Sequence, residues 1–422
     1  MKVLVLSSLA YSLTNFRGAL LRDLKANGHH VVAVAPDGNA AVEADLANWG
    51  VGFRIVPMDR TGTSLFKDVA LLAAYTRLMV AEKPDLVLAY TQKPIIYGGI
   101  AARLMCVPRF FAMMSGLGYV FSEASAHRRL LRGSVARLYR EAVRRSRGVF
   151  VFNADDRQDM IDLGIVNDRH NVVRVPGSGV DLDRFTLAPL PRGRMRFLLV
   201  GRLMRDKGIH EFLEAAAVIR RDHPDIEFCI LGHYEHANPT GIDEVECARL
   251  SRQYPVQFIP GTSDVRPYLA SCSVFVLPSY YREGLPRTIL EAMATGRPVI
   301  TTDMPGCRDP IIEGENGFLV APRDAGSLRA AMQRFIDNPE LVARMGTRSR
   351  DLAEKVYDVR KVNQQLLDEM DLLREPWIRS DAVPGRSAGD IEAEIGSGAR
   401  ATPSSTSGPA TKAPGGTHVA AG

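Results

Sequence analysis

The stretch Ser273–Pro298, SVFVLPSYYREGLPRTILEAMATGRP, decides how this chain folds. Its first six residues are apolar and partly β-branched, which predicts a short buried strand. A polar loop over Tyr280–Gly284 follows, Pro286 suits the first position of a helix, and Gly296 ends that helix. A second apolar strand, PVITT, comes next. This order places the amino end of a helix at the carboxyl edge of a parallel sheet, where an anionic ligand can bind.

Two glutamates, Glu283 and Glu291, are separated by seven residues in this stretch. Glu291 falls on a helix that is apolar around most of its circumference, and a buried carboxylate costs several kcal/mol unless partners satisfy it. A pair of vicinal ligand hydroxyls would serve as such partners. A solvated or salt-bridged glutamate is the commoner explanation for an isolated residue of this type. Taken alone, each glutamate leaves both interpretations open.

The composition of the chain limits which classes of protein are possible. The 422 residues are 46% hydrophobic, which predicts two domains, and the net charge of +5 is too small for a dedicated nucleic-acid binder. The five cysteines form no C-x-x-C pair, which favours a reducing compartment. No apolar run approaches the roughly 18 residues needed to cross a bilayer. The N-terminus lacks the cleavage pattern of a signal peptide, so a cytoplasmic location is expected.

Strands and helices alternate along most of the chain, which predicts an α/β fold with two Rossmann-like βαβ domains facing a central cleft. The chain opens with a strand over Lys2–Ser7, a loop over Ser8–Asn15 and a helix over Phe16–Asn27. A helical stretch is predicted over Asp351–Arg374. The domains are predicted as a first domain over 1–180, a linker over 181–195, a second domain over 196–350, a helical segment over 351–375, and a tail over 376–422. That tail is rich in Gly, Ser, Ala and Pro and is expected to be disordered.

The entry to the second domain, FLLVGRLMRDKGIHEFLEA, carries two cations at a loop between a strand and a helix. Arg202 can bind a diphosphate bidentately and Lys207 can bind it as a point charge. Solvated surface cations explain most R-x4-K patterns, but the position after a Rossmann-type strand favours the binding interpretation. Because this loop and the one before Pro286 follow strands of one sheet, the two should converge.

The first strand leads into SSLAYSLTNFRG, which lacks the G-x-G-x-x-G dinucleotide pattern. A nicotinamide or flavin dehydrogenase is therefore not expected. Asn15 and Arg17 end this loop and could face the cleft; a helix-capping role is an equal alternative for Asn15.

Residues 123–148 carry eight arginines against two glutamates, with apolar residues at helical spacing. A basic amphipathic helix favours an anionic membrane surface or anionic acceptor, with Arg128, Arg129 and Arg132 as candidate contacts. A solvated helix face is an equal alternative. Nucleic acid is not expected, because aromatic residues for base stacking are scarce among these arginines. The histidines do not cluster, so no metal site is expected.

Three segments together resemble the retaining glycosyltransferases of family 4, which have the GT-B fold: VGRLMRDKG, GTSDVRPYLASCSVFVLPS and REGLPRTILEAMATGRPVITTDMPGC. The resemblance covers roughly residues 1–370 and is strongest from 196 to 322. The wording MSGLGYVF and YREGLPR is typical of bacterial enzymes that build surface polysaccharide or lipid-linked glycans. The family implies a first domain that binds the acceptor and a second that binds a nucleotide sugar.

The resemblance also implies roles for the residues that match its motifs. Arg202 and Lys207 would bind the donor diphosphate and stabilise the leaving group, so that no metal or other cofactor is needed. Glu283 would lie beside the donor sugar, and Glu291 would bind the ribose hydroxyls. The N–H groups of Gly284 and Leu285 would contact phosphate or sugar.

One position departs from the family pattern. Many relatives carry a histidine near the reacting centre in the first domain, where this chain has Ser115 within MMSGLGYVF. The GLGY wording recurs in the surface-glycan subgroup, so the change is interpreted as a trait of that subgroup. An acid or base role at this position is not implied.

The implied function is transfer of a sugar, with retention, from a UDP-sugar such as UDP-GalNAc, UDP-GlcNAc or UDP-Gal to a polyprenyl-diphosphate-linked acceptor. The enzyme would act peripherally at the inner face of the cytoplasmic membrane, in the biosynthesis of lipopolysaccharide or a related glycan. Two alternatives stay open: a non-catalytic nucleotide-sugar-binding protein, and a GT-B-type sugar-nucleotide epimerase.

Overall fold

Two parallel β-sheets organise the chain, and they confirm the predicted α/β class with two Rossmann-like domains. The structure is a computed structural model that describes residues 1–60, 62, 64–116, 126–236 and 238–374, with the side chains of 126–131 excluded. The predicted tail over 376–422 lies outside the described residues. Both sheets belong to one compact unit of the chain.

The first sheet is built from residues 2–174, in the order β3-β2-β1-β4-β5-β6-β7. Its strands are β1 (Lys2–Leu6), β2 (His30–Ala35), β3 (Gly52–Ile55), β4 (Leu86–Tyr90), β5 (Arg109–Met114), β6 (Gly148–Val151) and β7 (Val172–Arg174). The helices between them are α1 (Ala10–Asn15), α2 (Gly18–Ala26), α3 (Ala40–Asn48), α4 (Leu65–Glu82), α5 (Gln92–Leu104), α6 (Ala126–Val143) and α7 (Ala154–Asp162).

The second sheet is built from residues 196–320, in the order β10-β9-β8-β11-β12-β13. Its strands are β8 (Arg196–Val200), β9 (Glu227–Gly232), β10 (Gln257–Pro260), β11 (Val274–Leu277), β12 (Val299–Thr302) and β13 (Gly317–Val320). The remaining helices are α8 (Ile209–Asp222), α9 (Glu244–Gln253), α10 (Arg266–Ser271), α11 (Arg287–Ala294), α12 (Ala325–Asp337), α13 (Glu340–Lys355) and α14 (Val359–Glu369). The predicted boundaries at 180 and 195 stay predictions.

Each sheet is buried on both faces, which explains why its central strands are continuous apolar runs. In β1, Leu4 and Leu6 pack in one core cluster, while Val3 and Val5 pack in the cluster on the opposite face. The second sheet divides its strand residues between two clusters in the same way. Both sheets reverse their strand order once, between β1 and β4 and between β8 and β11. Loops at the carboxyl ends of these strands flank a crevice in which α/β proteins bind ligands.

The predicted loop over Ser8–Asn15 is wrong, because α1 occupies most of it. This short helix depends on a contact distant in sequence: the Ala10 N–H donates to Asp37 at 3.0 Å. The helix predicted from Phe16 begins only at Gly18. Periodicity within so short a segment carries no trace of the supporting contact.

Pro286 is the N-cap of α11 and not its first residue, because its ψ of 115° lies outside the helical range. The helix predicted to begin at this proline therefore begins one residue later, at Arg287.

The single helical stretch predicted over Asp351–Arg374 is two helices, α13 and α14. The break arises because the Val180 N–H donates to the Tyr357 carbonyl at 2.7 Å and the Val359 N–H donates to the Val180 carbonyl at 3.0 Å. Asp358 then caps α14 by accepting from the Arg360 N–H. After this turn α14 packs against α2 and joins the core on one face of the first sheet. No helix in the described part of the chain is both long and apolar enough to cross a membrane.

Candidate active site

The two motif loops of the second domain meet at the reversal point of its sheet. Arg202 and Lys207 follow β8, and Glu283 follows β11, the neighbouring strand. Between them, Gly208 has a φ of +74°, and a Cβ at this position would lie 2.1 Å from the Pro278 carbonyl oxygen. Only glycine allows the chain to pass so close to the end of β11. The R-x4-K-G pattern therefore needs its glycine to bring the two loops together.

Backbone hydrogen bonds then lock the loops to each other. The Asp206 carbonyl accepts from the N–H groups of Tyr280 at 2.9 Å and Tyr281 at 3.2 Å, and from the Ser279 hydroxyl at 3.2 Å. One carbonyl thus holds three donors of the loop after β11. This arrangement fixes Lys207, the next residue, against the segment that carries Glu283.

Lys207 and Glu283 form an ion pair between the two loops, as the predicted convergence requires. The Ser279 hydroxyl shares its single proton between the Asp206 carbonyl and the Glu283 carboxylate, which also lies 3.2 Å away. The side chains of Lys207 and Glu283 are 11% and 16% exposed. Reduced contact with water strengthens the attraction of the Lys207 ammonium for any anion that binds beside it, and equally the repulsion of that anion by the Glu283 carboxylate.

Arg202 lies apart from this pair, with a side chain that is half exposed. Its guanidinium donates to Glu235 at 3.0 Å. The loop that carries Glu235 is attached to the turn Arg205–Lys207, because the Arg205 N–H donates to the Thr240 carbonyl at 2.8 Å. Arg202 must exchange Glu235 for a ligand oxygen if it is to bind a diphosphate, and its role stays a prediction.

Glu291 is 8% exposed on α11, as its apolar surroundings predict. Arg287, one turn earlier on the same helix, lies 3.0 Å from its carboxylate. Burial raises the pKa of Glu291, and the positive charges of Arg287 and Arg184 oppose that rise. The pairing supports the salt-bridge interpretation of this residue, and ribose binding stays a prediction.

The loop Glu283–Leu285 is pressed against the first domain. A Cβ on Gly284 would lie 2.4 Å from the Ser115 carbonyl oxygen, so this position requires glycine for close approach. Asn153, fully buried at the end of β6, donates to the Gly284 carbonyl at 2.8 Å. Ser115 therefore lies beside the glutamate loop, at the point where the two sheets face each other.

Ion pairs between the two domains reinforce this contact: Arg282 with Asp159, Arg308 with Asp155 at 3.1 Å, and Arg174 with Asp309 at 2.9 Å. Two of the three carboxylates are on α7, whose N-cap is Asn153. The start of α7 thus holds the glutamate loop in place through both hydrogen bonds and charge.

The two candidate residues of the first-domain loop, Asn15 and Arg17, lie in different environments. Asn15 is the last residue of α1 rather than the cap of a helix, so the capping alternative is wrong; its carbonyl accepts from Arg287. Arg17 precedes α2 and is only 4% exposed. Its guanidinium lies over the rings of Tyr90 and Phe152, at 5.3 and 5.6 Å from their centroids. Both residues thus reach the edge of the first sheet that faces the second domain.

The arginine-rich helix α6 is only partly described. The side chains of Arg128 and Arg129 lie outside the described residues, and Arg132 is half-buried. Farther along, Arg140 donates to the carbonyls of Gly164 and Leu163, while Val135, Tyr139 and Ala142 are among the residues that bury its apolar face. Leu138, which helical spacing places on the same apolar stripe as Val135 and Ala142, is instead 36% exposed. The C-terminal half of α6 therefore packs against the first domain, and membrane contact of α6 stays a prediction.

Sequence reasoning missed four residues of the site: Asp206, Glu235, Ser279 and Asn153. Asn153 and Ser279 were detectable, because each is a polar residue two positions after a buried strand at the carboxyl edge of a sheet. Asp206 acts through its backbone carbonyl, and Glu235 lies in an irregular loop, so neither has a sequence signal. Within the described ranges no three His, Cys, Asp or Glu side chains are grouped so that they could hold a metal ion.

Comparisons with known proteins define the class. The family described as "Glycosyl transferase 4-like domain" matches residues 15–177, and "Glycosyl transferases group 1" matches residues 188–352. The chain is 30% identical over 304 residues to the UDP-Gal:alpha-D-GlcNAc-diphosphoundecaprenol alpha-1,3-galactosyltransferase of Escherichia coli, covering 68% of this chain and 75% of that protein. The chain therefore belongs to the family-4 type of glycosyltransferases.

A second relative and a solved structure agree with this assignment. The chain is 22% identical over 356 residues to the N,N'-diacetylbacillosaminyl-diphospho-undecaprenol alpha-1,3-N-acetylgalactosaminyltransferase of Campylobacter jejuni, covering 81% of this chain and 91% of that protein. The crystal structure of Anabaena HepE in complex with UDP-glucose matches with a TM-score of 0.71 at 18% identity, covering 88% of this chain and 99% of that one. This structural match supports the GT-B fold, as predicted.

Proposed function

We propose that this glycosyltransferase moves a hexose or N-acetylhexosamine, with retention, from a UDP-sugar to a polyprenyl-diphosphate-linked glycan acceptor at the inner face of the cytoplasmic membrane. The ion pair between Lys207 and Glu283 at the reversal point of the second sheet carries the proposal. A cation that can bind the leaving diphosphate and a carboxylate that can bind the sugar lie together in one largely desolvated group, which supports these two roles. The two relatives described above, both named for undecaprenyl-diphosphate-linked acceptors, supply the acceptor class.

In the proposed reaction the bond between the anomeric carbon and the diphosphate breaks, and negative charge grows on the leaving phosphate. Lys207 lies where it can neutralise this charge, and Arg202 adds a second cation once it exchanges Glu235 for a phosphate oxygen. Of the two, Lys207 is the preorganised and largely desolvated cation, and such a cation stabilises the transition state without reorganisation of solvent. No divalent metal is required for this step.

The remaining roles follow from position. Glu283 accepts a hydrogen bond from the donor sugar, and its ion pair with Lys207 holds its carboxylate beside the diphosphate. Glu291 binds the ribose hydroxyls. The acceptor hydroxyl attacks from the face that the phosphate leaves, and a phosphate oxygen takes its proton. Ser115 need not act as a base in this scheme.

A transfer assay tests the proposal. Purified protein is incubated with each UDP-sugar and a polyprenyl-diphosphate-linked monosaccharide, and UDP release, product mass and anomeric configuration are measured, with and without EDTA. We expect acceptor-dependent UDP release, an α-linked product and no loss of rate in EDTA. UDP binding without turnover would favour the non-catalytic alternative, and conversion of the UDP-sugar without acceptor would favour an epimerase. A thermal-shift screen of nucleotide sugars identifies the donor, because a bound ligand stabilises the folded state by mass action.

A further inference from the structure

Arg17 is a buried cation for which neither the fold nor the proposed donor site gives a role. It lies between α1 and α2 and is 4% exposed. Its Nε makes no hydrogen bond, and within the described ranges no carboxylate pairs with its guanidinium. A buried cation without a hydrogen-bonded partner costs free energy, so natural proteins retain one mainly where a partner arrives later.

The groups around Arg17 add to this cost. Tyr90 and Phe152 present ring faces, and the Tyr90 hydroxyl is already bonded to Ser12 at 2.8 Å. The guanidinium of Arg287 approaches from the second domain. Burial, with the like charge of Arg287, lowers the pKa of Arg17 to about 10. Two cations thus face each other across the interface between the domains.

Among the described residues, one carboxylate pairs with these two cations, which leaves one positive charge without a paired carboxylate. Glu291 pairs with Arg287. Arg287 is also the first residue of α11, where the helix dipole contributes further positive potential. The charge of Arg17 is therefore the one that no paired carboxylate among the described residues offsets, and an anion would neutralise it.

Space for an anionic ligand lies directly beside this region. Asn15, Phe16 and Gly18, on either side of Arg17 in sequence, line a cavity of about 340 Å³ between the domains; Asp45 and Asp181 also line it, and Arg17 itself does not. Arg287 and Ser263 of the second domain line its opposite wall. A ligand in this cavity contacts both domains.

We propose that Arg17 binds a phosphate group of a substrate in the cleft and so acts as a binding cation contributed by the first domain. The proposal rests on the proposed function, in which both substrates carry a diphosphate. The phosphate can belong to the UDP-sugar donor or to the polyprenyl-diphosphate acceptor. Guanidinium suits this role because it can bond two phosphate oxygens at once.

A structural role is the competing explanation, since an arginine over aromatic rings contributes through cation–π contact. Arg17→Met separates the two, with Arg334→Met as the matched control. Arg334 lies 3.6 Å from the centroid of the Phe318 ring, far from the motif loops in sequence and half exposed. If cation–π contact were the whole role, both variants would lose thermal stability and neither would lose substrate affinity.

The experiment measures the dissociation constant for UDP by calorimetry, KM for the polyprenyl-diphosphate-linked acceptor, and Tm. We expect Arg17→Met to weaken the binding of one substrate by about tenfold to a hundredfold, as for a lost charge-assisted hydrogen bond. A larger dissociation constant for UDP identifies the donor phosphate as the ligand of Arg17. A raised KM for the acceptor at unchanged UDP affinity identifies the acceptor phosphate as that ligand. Arg17→Lys, which keeps the charge, should recover part of the loss and serves if the Met variant does not fold.

UDP affinity and acceptor KM both within twofold of wild type in Arg17→Met would overturn the inference, whatever the change in Tm. If the wild-type protein shows neither UDP binding nor transfer, the proposed function fails. Titration with inorganic pyrophosphate then still decides the inference: weaker binding by Arg17→Met supports it, and equal binding overturns it.

Discussion

The cations at the two facing sheet edges differ in their partners. Beside the reversal point of the second sheet each cation has a carboxylate: Arg202 with Glu235, Lys207 with Glu283, and Arg205 with Glu246. Arg17, at the edge of the first sheet, has none among the described residues. A phosphate that binds to the second domain must therefore replace or join an internal carboxylate, whereas a phosphate that binds to Arg17 meets no competitor. Removing a carboxylate and removing a cation should consequently change ligand affinity in opposite directions.

The largest effect is expected for Glu283→Gln. Transfer should fall by about a hundredfold or more, the size found when one preorganised polar group of an active site is removed. UDP affinity should hold or rise, since Lys207 is released from its partner. The transfer rate and the UDP affinity from calorimetry check this expectation. Glu246→Gln is the control, because it removes the carboxylate that pairs with Arg205. A loss of transfer below about tenfold, only about 1.4 kcal/mol of barrier, would remove Glu283 from the catalytic group.

Lys207→Met should weaken UDP binding by about tenfold to a hundredfold, because it removes a charge-assisted contact to the diphosphate. It also leaves the half-buried Glu283 without its cation, so Tm should fall. Calorimetry and thermal unfolding measure the two effects separately. UDP affinity equal to that of wild type, at whatever Tm, would place the diphosphate elsewhere.

Glu291→Gln tests the raised pKa of Glu291 through the pH dependence of the free energy of unfolding. Since burial raises the pKa of Glu291 above its usual 4.5, the folded state holds this proton more tightly than the unfolded state. The contribution of Glu291 to the free energy of unfolding is therefore full below pH 4.5 and declines as pH rises toward the folded pKa, by at most about 1.4 kcal/mol per pH unit. Denaturant unfolding of wild type and variant from pH 4 to 8 should show wild type losing stability relative to Glu291→Gln. A relative gain with rising pH would mean that the pKa is lowered instead.

The smallest effect, of opposite sign to the loss from Lys207→Met, is expected for Glu235→Gln. Releasing Arg202 from a largely exposed ion pair should strengthen UDP binding by roughly twofold to fivefold, because such pairs contribute up to about 1 kcal/mol. Arg202→Ala should weaken the same binding. Calorimetry at low and high salt measures both changes, and weaker binding by Glu235→Gln would show that Glu235 supports the ligand rather than competing with it.

The sequence predicts the parts of this molecule that local patterns determine. The strand, loop and helix around Pro286 and the R-x4-K loop were predicted because each is read within about twenty residues. Their convergence followed from parallel-sheet geometry alone. The fold class was predicted for the same reason.

Other features depend on contacts that no local pattern records. Helix α1 needs Asp37, the turn between α13 and α14 needs Val180, and the position of Arg202 depends on Glu235. The isolation of Arg17 is likewise visible only in three dimensions, since in the sequence it is one arginine among many. The sequence gives the type of each residue, and the structure adds which residues each one contacts.

Hydrogen exchange of the amide groups with and without UDP tests most directly the claim that the nucleotide diphosphate binds at the reversal point of the second sheet. UDP should slow exchange in the segments 201–209 and 279–291, which carry Lys207 and Glu283, while the outer strand β10 stays unchanged. Protection confined to the first domain, or absent from both of these segments at saturating UDP, would contradict the account.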